Sequence, residues 1–225
     1  MKNLVLPIFA FFLVVFASCS KPTVNKVSGN WCMTDYKSVE SNESSDTTVE
    51  TSFIDADWQQ ISYSNDNSAQ KNKKKGILNS VPSLNLKSDG TFTKSVKYYY
   101  YQQIESNDSV LVFVSEFTRG CWEFIGSGKE IDHLALVIEE ELIINNDEVL
   151  SVPDTVARNR YAKAEKYVVY NFDKVSNKNI VLSLDKSKNI SKIESENINL
   201  ERITSKNEEK FLDKYEVRAV PCSDE

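Results

Sequence analysis

The stretch LNLKSDGTFTKSVKYYYYQQI, residues 84–104, decides the fold class. Leu84 and Leu86 alternate with Asn85 and Lys87, the period of two that sends successive side chains to opposite faces of a strand. Ser88-Asp89-Gly90 reads as a turn, because Asp-Gly accepts the backbone angles that tight hairpins need. The return strand, 91–104, carries Phe92 and four consecutive tyrosines, Tyr98 to Tyr101. Aromatic side chains suit a pleated, half-buried surface.

The same grammar extends outward. Asn107-Asp108 turns the chain into a strand over 110–125. Its phase is expected to break: Leu111, Phe113 and Phe117 share one face, Trp122 and Phe124 the other. A bulge near Arg119-Gly120 would reconcile them. Leu134, Leu136 and Ile138, then Leu142 and Ile144, continue the alternation. Later strands are expected at 167–172, 180–184, 198–202 and 215–220. Ser151-Val152-Pro153-Asp154 has the form of a helix start, predicting a short helix over 152–166. Two polar stretches, 41–48 and 64–76, read as loops, and the lysines within 71–75 as a solvated charge run.

The N-terminus has a different logic. Residues 1–18, MKNLVLPIFAFFLVVFAS, place Lys2 before an apolar run that ends in Ala17 and Ser18. That is the layout of a secretory signal, too short and wrongly flanked for a transmembrane helix. Phe16-Ala17-Ser18-Cys19 resembles the bacterial lipobox, with Phe16 where Leu is usual. The resemblance implies cleavage before Cys19, acylation of Cys19 and a membrane partner reached through that lipid anchor. Ser20 after the cysteine implies, by likeness to known sorting rules, the outer membrane, with the periplasmic face favoured over the cell surface. Residues 19–27 form a polar tether, and 28–225 a single domain.

The chain carries a formal net charge of −6 over 225 residues. The signal contains a basic residue and no acidic one, so the mature protein is more acidic still. That balance argues against nucleic acid as a partner. Three further cysteines, Cys32, Cys121 and Cys222, would meet an oxidising compartment. One disulfide with a thiol left over, or three unpaired thiols, both fit.

Three motifs occur in order: Gly29-Asn30-Trp31, Ser88-Asp89-Gly90-Thr91-Phe92 and Gly120-Cys121-Trp122-Glu123-Phe124. In that order, behind a lipobox, they resemble the lipocalin-like domain of many bacterial lipoproteins. The resemblance covers residues 27–145 by motif and the rest by strand pattern. The chain departs from it in its insertions at 41–76 and the expected helix. It implies an all-β, antiparallel up-and-down barrel of about eight to ten strands, with Trp31 and Trp122 plugging the core and Cys32 and Cys121 facing away. First and last strands are neighbours in such a barrel, so a disulfide, if present, would join Cys32 to Cys222.

Chemistry is sparse. The sole histidine, His133, starts an apolar strand with no nucleophile or carboxylate at a recognisable spacing. Glu139-Glu140-Glu141 reads as a solvated turn, because consecutive carboxylates on a strand splay to alternate faces and chelate poorly. No zinc spacing and no Gly-rich phosphate loop exist. The expectation is a non-enzymatic protein with no cofactor and no metal. Tyr98 and Tyr100 share one face, Tyr99 and Tyr101 the other. An inward pair, Tyr98 and Tyr100, would contact a small apolar or amphipathic ligand. An outward pair would anchor a protein or glycan partner on a barrel filled by its own side chains. Core filling alone also accounts for the run.

Overall fold

Among the described residues of the computed structural model, twelve strands join one antiparallel sheet. The structure describes residues 21–42, 46–64, 70–103, 109–126, 131–146, 148–151, 166–189 and 193–215. The strands are β1 (Gly29–Asn42), β2 (Thr47–Ile54), β3 (Asp57–Ser64), β4 (Gln70–Leu78), β5 (Ser83–Leu86) and β6 (Thr91–Gln103). They continue with β7 (Ser109–Ile125), β8 (His133–Asn145), β9 (Glu148–Ser151), β10 (Lys166–Val175), β11 (Asn179–Leu184) and β12 (Ile193–Arg202). Among the described residues, two short helices, α1 (Val24–Val27) and α2 (Glu208–Tyr215), flank the strands.

The sheet closes on itself, and its circumference changes along its height. Near the start of β1, Gly29–Cys32 pair with β5, and β5 pairs with β6. At that end the ring has eight strands: β1, β5, β6, β7, β8, β10, β11 and β12. From Asp35 upward β1 pairs instead with β2, and β4 rejoins β6 at Tyr98–Tyr100. There β2, β3 and β4 replace β5, and the ring has ten strands. Eight strands enclose an interior just wide enough for side chains to fill; two more widen it.

The narrow end is packed solid. Trp31, Leu84, Phe92, Leu134 and Leu182 are each at most 1 % exposed. Trp31 Nε1 donates to the Val27 carbonyl at 2.8 Å, and the Arg202 guanidinium stacks 4.2 Å from the indole. Arg202 also donates to the carbonyls of Ser28 and Lys26. Gly29, at φ +144°, leaves room for that guanidinium; a Cβ would collide with it. Trp122 donates through Nε1 to Lys87 O at 2.8 Å. Both tryptophans are core, as expected, and their polar edges are satisfied by backbone.

Several expectations fail for identifiable reasons. In the polar stretches expected as loops at 41–48 and 64–76, the described residues other than Asp46 are strand. Lys71 to Lys75 lie on β4, paired with β3 through Ile61↔Lys73 and Gln59↔Lys75. Backbone pairing holds such a strand whatever its side chains prefer, and lysines protect it from further pairing. Glu139-Glu140-Glu141 is likewise no turn; it lies within β8.

The phase of β7 does not break. Val112, Val114, Glu116, Thr118 and Trp122 all face inward, and Phe113 is 41 % exposed on the outside. The extra residue belongs to β8, where the register steps from Arg119↔Glu140 to Gly120↔Ile138. A Cβ on Gly120 would sit 1.9 Å from the Val137 carbonyl oxygen, so only glycine admits the bulged strand there.

Of the strand expected at 215–220 only Tyr215 is described, and it ends helix α2. Asn207 starts the helix, its Oδ1 accepting from Thr204 N at 2.6 Å. Glu208 and Glu209 occupy the first turn and Lys214 the last, complementing the helix dipole. Phe211 and Tyr215, four apart, bury one face. The helix expected over 152–166 and the signal segment also lie largely or wholly outside the described residues.

Candidate ligand cavity

A bulge between Met33 and Asp35 shifts the phase of β1. Below it Trp31 faces inward; above it Tyr36, Ser38 and Glu40 do. Those positions line a cavity of about 740 Å³ inside the ten-stranded part of the barrel. Its walls divide by chemistry. Phe92, Val96, Leu136, Ile138 and Val168 form an apolar side. Tyr36, Phe53 and Trp58 form an aromatic side, with Tyr36 and Phe53 stacked at 5.1 Å between centroids.

The polar wall centres on Glu196, a carboxylate only 3 % exposed. Tyr170 donates to its Oε2 at 2.6 Å, and Lys94 Nζ lies 3.5 Å from Oε1. The same ammonium sits 4.7 Å above the Tyr36 ring. Burial, reinforced by the Glu196 charge, pushes the Tyr36 and Tyr170 phenols well above their ordinary range. They therefore stay protonated and act as donors. Across the cavity, Glu116 accepts a 2.9 Å hydrogen bond from Tyr98. Burial and then the Glu116 charge push the Tyr98 phenol up as well.

Tyr98 and Tyr100 face inward, each 7 % exposed, but do not line the cavity. Trp58 lies over both, 4.2 Å from Tyr98 and 5.7 Å from Tyr100, and presents its own face to the space. Gly76, on the neighbouring strand, permits this stack: a Cβ there would approach Trp58 Cε3 to 3.1 Å and Tyr99 O to 2.2 Å. Lys74 closes the far side, donating to the Tyr100 hydroxyl at 3.3 Å. Tyr98 and Tyr100, expected to line the interior, thus sit behind Trp58, which lines it in front of them. Tyr99 and Tyr101 face outward; Tyr99 packs on Phe113, while Tyr101 is 59 % exposed.

Cys32 is a free thiol. Cys222 lies outside the described residues. Cys32 is buried against Tyr215, and that burial pushes its thiol up to about 11. Cys121 is free and exposed, 3.4 Å from Glu139 Oε1. Cys19 is outside the described residues. His133 stands away from the cavity, its Nε2 3.0 Å from Asp185 Oδ2. Among the described residues, no group of three or more His, Cys, Asp or Glu side chains is arranged to hold a metal.

Sequence reasoning missed Lys94, Glu116, Glu196, Tyr36, Tyr170 and Trp58. A signal existed for Lys94: it shares the phase of Phe92 and Val96, so a strand with those two inward carries a charge inward too. Comparison of the chain with family models, curated proteins and solved structures finds no match.

Proposed function

We propose that the chain is an exported lipoprotein, anchored to the outer membrane through Cys19, whose barrel holds one small amphipathic molecule without transforming it. The observation that carries the ligand reading is the cavity of about 740 Å³, within the roughly 300–1,000 Å³ typical of small-molecule sites. A barrel filled by its own side chains describes the narrow end but not the wide one. The wall supports an amphipathic guest: one side is hydrocarbon and ring, the other carboxylate, phenol and ammonium. The resemblance to lipocalin-like lipoproteins points the same way. The anchoring rests on the apolar stretch ending in Phe16-Ala17-Ser18-Cys19.

A second reading, an envelope interaction module, has its own support on the outer face of β6 and β7. There Tyr101 is 59 % and Phe113 41 % exposed. Titration of the mature domain with an environment-sensitive amphiphilic dye separates the two. Saturable binding of one dye per chain, abolished by Thr118→Trp, which fills the cavity, is expected. No saturable signal from folded protein would leave the interaction module. For the anchor, intact mass of membrane-fraction protein should give an acylated Cys19 as first residue; any other mature N-terminus contradicts it.

A further inference from the structure

We propose that the molecule held in the barrel carries a cationic amine, received between the Trp58 face and the Glu116 carboxylate. This rests on the reading of the barrel as a ligand carrier. Three observations converge on it. First, the cavity already holds one ammonium: Lys94 Nζ lies 4.7 Å over the Tyr36 ring and 3.5 Å from Glu196. A ring face beside a carboxylate is what this interior offers a cation, and both attractions strengthen away from water.

Second, the same pairing recurs across the cavity. Trp58 and Glu116 both line the space, and Tyr98 joins them, stacked on Trp58 at 4.2 Å and donating to Glu116 at 2.9 Å. Tyr98 is a positioning residue: it fixes the indole plane and the carboxylate relative to one another. It takes up one acceptor position of Glu116, and an ionised carboxylate offers about four. Third, the facing apolar side, Phe92, Val96, Leu136 and Val168, suits a hydrocarbon body rather than a second polar group. An anionic headgroup would meet Glu116 and Glu196 and find Lys94 already paired with Glu196. An amine finds complementary charge that a neutral guest cannot use.

Calorimetric titration of the mature domain at pH 7 with decylamine, decanol and decanoate, each below its micelle concentration, tests this. The chain length is constant, and only the headgroup charge changes. Decylamine should bind at least tenfold more tightly than decanol, with decanoate weakest. Glu116→Gln keeps an acceptor for Tyr98, so it should remove most of the amine's advantage and leave decanol affinity unchanged. A merely structural role for Glu116 would weaken all three guests together, and that outcome overturns the proposal. Decanoate binding as tightly as decylamine also overturns it while sparing the ligand-carrier reading. If none of the three binds to protein with native circular dichroism, both fall.

Discussion

Tyr170 and Glu196, on β10 and β12, meet inside the barrel at 2.6 Å although β11 separates their strands. The contact is possible because both side chains point inward, and the carboxylate it satisfies is 3 % exposed. A buried charge is tolerable only when paired and hydrogen-bonded. Tyr170→Phe leaves the ring in place and removes the donor. Urea denaturation should report a loss of about 1.5–3 kcal/mol, the range for hydrogen bonds to charged groups. A loss below roughly 0.5 kcal/mol would mean the carboxylate has a replacement donor.

The phenols extend that argument to alkaline pH. Tyr36, Tyr98, Tyr170 and Tyr215 are all raised above the ordinary value of 10.0, chiefly by burial. A raised folded value means the fold holds these protons longer than the unfolded chain does. Their contribution is complete below pH 10 and is lost as pH climbs beyond it, because the unfolded state then binds fewer protons. Phenolate absorbance should therefore rise for these four only as near-UV circular dichroism collapses. Smooth titration of every tyrosine near pH 10 in folded protein would contradict their burial.

Gly120 carries a packing test. Its missing Cβ makes way for the Val137 carbonyl at the β8 bulge, a backbone atom that cannot swing aside. Gly120→Ala should cost roughly 2–4 kcal/mol. Gly90→Ala is a useful contrast: φ is +86° there, but the nearest atom to a Cβ is Trp122 O at 3.7 Å. It should cost about 1 kcal/mol, from backbone strain alone. Equal losses would place the strain elsewhere than at the bulge.

Strand existence was legible around the hairpin at residues 84–104 because Leu84, Leu86 and Phe92 alternate cleanly and Asp89-Gly90 marks the turn. The widening of the barrel was not legible. β2 to β4 are held by backbone pairing and by Phe53, Trp58 and Leu78, while Lys71 to Lys75 disguise them as loop. The phase of β7 was misread because its outer face is also apolar, through Leu111 and Phe113. Helix α2 had a readable start at Asn207-Glu208-Glu209, overlooked beside the β-like run that follows Tyr215. The cavity's charges belong to strands far apart in sequence, Lys94 and Glu196 among them, and only barrel closure brings them together.

Among the described residues, the thiols of Cys32 and Cys121 report on α2. Cys32 is fully buried, with its thiol pushed up to about 11, whereas Cys121 is exposed. At pH 8 a maleimide should modify Cys121 quickly and leave Cys32 untouched until unfolding. Phe211→Ala loosens the helix by about 3–5 kcal/mol, and Cys32 labelling should accelerate with it. Rapid labelling of Cys32 in the parent protein would mean α2 does not cover β1.

Occupancy of the ten-stranded end of this barrel is tested most directly by native mass spectrometry of protein extracted gently from its own membrane. The parent protein should carry a noncovalent adduct of a few hundred daltons, one per chain, absent from Thr118→Trp prepared in the same way. Parent protein that flies without an adduct, or an adduct that persists when the cavity is filled, would contradict it.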